Sequence, residues 1–488
     1  VLELSKSVFF ILFYGWVSSE EEVVKMFTRV SRTYGSTFIS LLFLSYFTQG
    51  LRCFPWLAIT YHFKDYLKVD PGTMQFLMAS AGLPAIAKPI YGIISDSVYI
   101  RGAHRLPYLI IANLLQALGW GAIAMHRGVS SSVLALTAFL TITNLGGAIS
   151  EVMNDAMVVE AGKNKKGGQQ GELQSIAWLA MASGAIVGNL TAGYAMKILT
   201  PEAMFTIFVA LILVQVLLAL FIDERSFGLA PPKQDTDESQ DLKSIDGKQR
   251  GISAIRQQIS ILASLLRKPE IMRPMLWFLS SYAVIPILGS SVFYFQTQNL
   301  KLSASVIGLA KVVGQLGLLI GSTLYNKSLK GVPIRRLFAI VQTLLAVCML
   351  SDIVLVKRWN LELGIPDKWF LLSTSAFVEA IAQFKNLPFV VLLAELCPRG
   401  SEGSLFSFFA SAQCIAGLMS GYLGVALASY LHITTEDFSA LPLGILIQAL
   451  CTLLPVFAIT FIARQPKKIT DSPQQVPATS DLDTKKEL

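Results

Sequence analysis

Apolar stretches of about 20 residues or more, separated by short polar connections, recur along the whole chain. About 20 apolar residues are what one helix needs to cross the hydrocarbon of a bilayer. The pattern predicts twelve such helices, near 36–63, 72–95, 106–125, 132–161, 173–199, 203–222, 271–295, 303–325, 336–356, 368–397, 404–431 and 441–463. They are called the first to twelfth spans below, and together they leave no room for a separate soluble domain. Ahead of them, "SVFFILFYGWV" at 7–17 is too short to cross. It reads as an interfacial segment or the remnant of a targeting region, and a chain opening on Val1 reads as a fragment or a processed form.

The spans come in two matching sets of six. "PWLAITYHFKDYLKVD" (55–70) pairs with "PILGSSVFYFQTQNLKLS" (286–303), each with an early proline, paired aromatics and a closing Leu-Lys. Gly92, Gly102 and Arg105 pair with Gly321, Gly331 and Arg335, and "GELQS" (171–175) with "GSLFS" (403–407), all at an offset of about 230 residues. Asp70 and Ser303 are the expected N-caps of the second and eighth spans, with Pro71 at a first helical position. The expectation is an all-α membrane protein of twelve transmembrane helices in two six-helix pseudo-repeats, which resembles the major facilitator architecture. The expected organisation is an N-terminal cytoplasmic or interfacial segment (1–33), a six-helix bundle (34–223), a cytoplasmic linker (224–270), a second bundle (271–464) and a disordered tail (465–488). Within the linker Ile252, Ile255, Ile259, Leu262 and Leu266 recur at helical spacing, predicting an amphipathic helix on the membrane surface.

Composition sharpens this picture. The chain is 53% hydrophobic and 15% charged, where soluble chains carry roughly a quarter charged residues. The net charge of +8 would suit a nucleic-acid binder, but its placement reports orientation instead. With a cytoplasmic N-terminus, 25 cations fall on the cytoplasmic side before the last tail lysines, against eight on the other, as the positive-inside rule demands, and both termini lie inside. The sequon Asn326-Lys327-Ser328 then lies in the cytoplasm, so a glycan there would invert the model. The five cysteines are scattered and read as packing residues. There is no GxxxxGK[ST], no HExxH, and the four histidines stand far apart. Catalytic chemistry, a metal and a cofactor are therefore not expected, and any energy would come from an ion gradient.

Charges inside spans cost a few kcal/mol unless they are paired or wet, so each is a functional candidate. Arg52 lies mid-way along the first span, near Gly50 and Pro55, and Lys88 on the inner half of the second. Glu151 and Asp155 share one face of the fourth span. Lys311 lies in the eighth, and Glu379 and Lys385 in the tenth. Arg52, Lys88 and Lys311 are candidate substrate ligands, with Trp56 as a stacking surface for a flat ring. Glu151, Asp155 and Glu379 are candidate proton carriers, since neighbouring carboxylates raise one another's affinity for protons. The competing reading is that these charges pair only to hold helices together. Gly92-x-x-x-Asp96 followed by Gly102-x-x-Arg105 resembles the loop motif between the second and third helices of major facilitators and predicts a gate latch, with Glu160 and Glu395 in gate networks. Gly184/Gly188 and Gly417/Gly421 have GxxxG spacing for close crossings, for which the fifth-to-eighth and second-to-eleventh spans are the candidates.

"GLRCFPWLAITYHFKDYL", "KPIYGIISDSVYIRG", "HRLPYL" and "NDAMVVE" together resemble the folate-biopterin transporter family, most strongly from Gly50 to Gly171. The resemblance implies transport of folates or pterins, coupled to protons, in a plastid envelope or plasma membrane. Arg52 and Lys88 would face the carboxylates of a folate and Trp56 its pteridine. Two alternatives stand beside this: a carrier of another small metabolite, and a non-transporting receptor or scaffold.

Overall fold

The computed structural model describes residues 20–163, 170–222, 224, 267–329, 332–396 and 402–462. Regular structure among them is helical, apart from one backbone bridge between Ile100 and Ala103 that closes a turn. Nine of the described helices are long and apolar enough to cross a membrane, and they coincide with the second to sixth, eighth, ninth, eleventh and twelfth spans. The remaining three are helical too. The first runs as Ser36–Leu51 and Cys53–Tyr61, the seventh as Pro269–Ala283 and Gly289–Tyr294, and the tenth as Asp367–Leu396. Glu20–Tyr34 precedes the bundle and buries Val30 and Tyr34, with Phe27 edge-on to Phe43 at 6.0 Å. The chain is a multi-pass membrane protein with the major facilitator fold. The amphipathic pattern at 252–266 lies outside the described residues.

Prolines explain the interruptions. Pro286 lacks an amide hydrogen and disfavours helix at Ile285, so the seventh span unwinds over 284–288. Pro84 and Pro89 do the same in the second span, which tightens to a 3-10 stretch at Leu83–Ala87 before α-helix resumes at Lys88. The carbonyls freed nearby find side chains. Asn144 Nδ2 donates to Ala81 O at 2.8 Å, and Tyr91 OH to Pro84 O at 3.0 Å.

The repeat is visible in the backbone at one constant offset. The first and seventh spans both end in a π-helical turn, His62–Tyr66 and Phe295–Asn299. Each turn leads to a left-handed lysine, Lys68 (φ 51) and Lys301 (φ 52). Asp70 then caps the second span by accepting from Thr73 N–H at 3.0 Å. Ser303 stands at the matching N-cap, but its hydroxyl bonds Ser305 Oγ and caps no backbone amide.

Close approach is built from glycine. The first and fifth spans touch at Gly50, Gly184 and Gly188, where an added Cβ would fall 2.0, 2.1 and 2.5 Å from Met181 O, Phe47 O and Cys53 Sγ. The Gly184/Gly188 pair therefore packs one half internally. The fifth-to-eighth crossing between halves uses other glycines: a Cβ at Gly193 would lie 2.8 Å from Ser305 Cα, and one at Gly308 2.5 Å from Asn189 O. Gly417 meets nothing within 4 Å and Gly421 only the Ala79 methyl, so this pair does not seat a backbone.

The buried core is divided unequally. At the end bearing Val69, one apolar cluster joins both halves, with Phe63, Ala58 and Ile123 packed with Leu288, Phe295 and Phe438. At the opposite end, bearing Arg105, the core splits. Val30, Leu109 and Met157 belong to one half, and Ile271, Phe338 and Phe409 to the other. Among the described residues, the hydrogen bonds between halves run only from the Val69 end to mid-depth. Among the described residues the halves are joined at the Val69 end, and their cores part towards the Arg105 end.

Candidate functional site

The polar side chains at mid-depth gather on the half formed by spans one to six. Arg52, at the interruption of the first span, lies flat over Gly147, where a Cβ would come within 2.7 Å of its guanidinium. Its Nη2 donates to Asn144 Oδ1 at 2.8 Å, and Asn144 holds the kinked second span through Ala81, as above. One amide thus ties the cation of the first span to the bend of the second. Lys88 stands where the second helix resumes, and its Nζ lies 2.6 Å from Glu151 Oε1 on the fourth span. This pair is not sealed off: 12% of the Lys88 side chain and 31% of Glu151 remain exposed. Asp155, one turn further along, is exposed and accepts from Tyr46 OH at 2.5 Å.

The other half contributes less charge. Lys311 and Glu379 are both exposed, and Lys311 lies within electrostatic range of Glu379 and of Cys53, next to Arg52. Lys385 is nearly buried, at 1% exposure. Its Nζ donates to Ser281 O at 3.1 Å and sits 3.7 Å above the Tyr282 ring, so aromatic faces and a carbonyl hold this cation. Trp56 is half-buried and packs against the shared core, while Tyr61 meets Phe293 of the other half edge-to-face at 5.3 Å.

At the Arg105 end a second cluster forms. The turn at Ile100–Ala103 needs two left-handed residues, Arg101 (φ 55) and Gly102 (φ 80), and glycine adopts such a backbone freely. It returns the chain so that Arg105 faces the end of the second span. Arg105, 6% exposed, donates to Ser95 Oγ at 2.5 Å, to Glu160 Oε1 through Nε at 3.0 Å, and to Asp96. Gly92 lies beside Val152 on the fourth span. The expected latch residues Gly92, Asp96, Arg105 and Glu160 are thus near neighbours, whereas the Glu395 side chain lies outside the described residues.

The sequence reading assigned Glu224 to the linker, yet it is the hub of this cluster. Its carboxylate accepts from the backbone amides of His104 at 3.0 Å, Arg105 at 3.1 Å and Leu106 at 2.9 Å. Those are the orphan donors at the start of the third span, where the helix dipole favours an anion. The available signal was positional: Glu224 follows the sixth span directly, and Pro107 fixes the start of the third. His104 bridges two carboxylates, with Nδ1 2.8 Å from Glu224 and Nε2 3.1 Å from Glu160. Both ring nitrogens must then donate, which only the imidazolium does. Burial opposes that charge, but the hydrogen bonds to Glu160 and Glu224 outweigh it and push the His104 pKa to about 9. For Glu224, burial opposes ionisation, and the bonds from His104 and the three amides prevail, pulling it down to about 2.

A pH dependence follows. The raised His104 value contributes stability that is complete below its ordinary 6.5 and is lost as pH rises through about 9. The lowered Glu224 value contributes stability present above its ordinary 4.5 and lost as pH falls through about 2. Hydrogen-exchange protection of the Leu106 amide, corrected for intrinsic rate, is expected to hold at pH 6.5 and to fall towards pH 9.5. In His104→Gln that decline should vanish; an undiminished decline would show that His104 is not its source.

Comparison with known proteins places this geometry in context. The model of the BT1 family matches residues 49–479. A probable folate-biopterin transporter 9, chloroplastic, from Arabidopsis thaliana is 41% identical, covering 89% of this chain and 78% of its own length. The folate-biopterin transporter of Synechocystis sp. is 30% identical, over 84% of this chain and 78% of its own. Among solved structures, a D-xylose-proton symporter superposes with a TM-score of 0.65 at 15% identity, covering 89% of this chain and 100% of that one. The POT family transporter PepTSo superposes with a TM-score of 0.65 at 11% identity, over 87% of this chain and 97% of its own. These two structures speak to the fold alone.

Proposed function

Since the chain belongs to the BT1 family, we propose that it is a secondary transporter of folates or pterins that works by alternating access and couples transport to protons. The observation that carries this reading is the mid-depth cluster of Arg52, Lys88, Glu151 and Asp155, which would line a cleft between the two halves. The names of its relatives supply the cargo. A folate is an anion with a flat pteridine. Arg52 and Lys88 would bind its carboxylates, Lys311 would approach from the opposite wall, and Trp56 would lie against the ring.

Coupling follows from competition for Lys88. While Glu151 is ionised it occupies the ammonium. A proton on Glu151 removes that partner and frees Lys88 for a substrate carboxylate. Asp155, one turn away on the same face, is the next acceptor, and Glu379 serves the opposite wall. Gly92, Asp96, Arg105 and Glu160 act as the gate of the Arg105 end, which by the positive-inside argument faces the cytoplasm. The bundles at 34–223 and 271–464 would rock about the mid-depth site.

The experiment is uptake of labelled folate into proteoliposomes under an imposed proton gradient. External acid is expected to speed uptake, and a protonophore to abolish the effect. Absence of gradient-dependent uptake across a panel of folates and pterins would overturn the proposal.

A further inference from the structure

Gln75, a half-buried amide on the second span, reaches into the other half of the molecule. Its Nε2 donates to Ile287 O at 2.6 Å and to Gly421 O at 2.8 Å, and its Oε1 accepts from Ser290 N–H at 3.2 Å. Two of these backbone groups are free for a definite reason. Ile287 precedes the resumed helix Gly289–Tyr294, and Ser290 lies in its first turn, where amides lack intrahelical partners. Other groups at this break are satisfied within their own half. Ile287 N–H donates to Ser420 O at 3.2 Å, Ser420 Oγ to Ile285 O at 2.5 Å, and Leu288 N–H to Gln448 Oε1 at 3.4 Å. Gly424 permits the approach: a Cβ there would lie 1.8 Å from Ile287 O and 2.6 Å from Gln75 Nε2.

We propose that Gln75 is a positioning residue that holds the Val69 end shut, by supplying from one half the hydrogen bonds that the unwound seventh span lacks. This rests on the alternating-access reading, because only a protein whose halves part must make and break such contacts. A primary amide suits the task. It donates to two carbonyls and accepts from an amide at once, which neither a carboxylate nor an aliphatic side chain does. Each bond is modest once water is its alternative, so the contact closes the end without welding it. Tyr294 OH to Val69 O and Ser80 Oγ with Tyr422 OH at 3.0 Å flank the same seam.

The test measures the gate directly. Spin labels at Asp65→Cys and Gln298→Cys, with the five native cysteines changed to serine, report the distance across the Val69 end in liposomes. With Gln75 intact a short distance should dominate. Gln75→Leu should raise the ratio of long to short distances about tenfold, the effect of losing one to two net hydrogen bonds. Gln75→Glu should turn the gate into a pH switch. The protonated carboxyl can donate to one carbonyl and accept from Ser290, whereas the ionised form repels both carbonyls. The parent with Gln75, which retains Asp70 and Tyr294 nearby, serves as the control and should not respond over the same range. If Gln75→Leu fails to insert, the Gln75→Glu series decides alone. Distributions that match the parent at every pH would overturn the latch. The readout needs no substrate, so absence of folate uptake would count against the proposed function and leave this result standing.

Discussion

Replacing Lys88 with alanine is expected to lower folate uptake about 100-fold, the cost of one charge-assisted hydrogen bond to a substrate carboxylate. Stability should fall as well, because Glu151 loses the ammonium 2.6 Å away. Breaking a fully buried pair costs about 3–5 kcal/mol. Here the loss should be nearer about 2 kcal/mol, since 31% of the Glu151 side chain still meets solvent. Lys88→Ala combined with Glu151→Gln separates the two effects. Removing the stranded charge should restore thermal stability in detergent while uptake stays lost. Recovery of uptake in the double variant would show that Lys88 serves only to neutralise Glu151.

Arg105→Ala should produce the second large effect. This guanidinium joins Ser95, Asp96 and Glu160, and no other cation among the described residues bridges the second and fourth spans there. Its loss leaves Asp96 without a partner and Glu160 with His104 alone, at a cost of about 2 kcal/mol. The melting temperature should drop by several degrees and uptake by more than tenfold. Arg105→Lys should recover little of either, because a single ammonium lacks the planar fork that reaches three partners. Full rescue by lysine would mean that charge alone matters at this position.

The fold was legible because a bilayer forces apolar runs of nearly fixed length: nine of the described helices meet that length, and the first and seventh runs stay helical on either side of Arg52 and Pro286. The intramembrane charges were legible for the same reason: an ionised group in such a run stands out. Uncharged residues do not. Gln75 and Asn144 occupy key junctions, yet an amide inside an apolar helix carries no comparable alarm, and their importance depends on carbonyls freed by distant prolines. Glu224 was hidden differently, since one carboxylate among charged neighbours after a span looks like ordinary linker. The π-helical turns at His62–Tyr66 and Phe295–Asn299 left no readable spacing, although the paired aromatics and Leu-Lys endings marked the places where they occur.

The offset that superposes those two turns carries Arg52 onto Ile285, and the one that pairs Gly92 with Gly321 carries Lys88 onto Gly317. The second cation is answered by a glycine whose missing Cβ lets the eighth span lie against Ala376. Two copies of one backbone have thus diverged into different trades, one keeping the electrostatics and the other a close glycine packing inside its own half. Charge changes in the first copy should then be felt chiefly in transport, whereas bulk added to the second should pry its own helices apart.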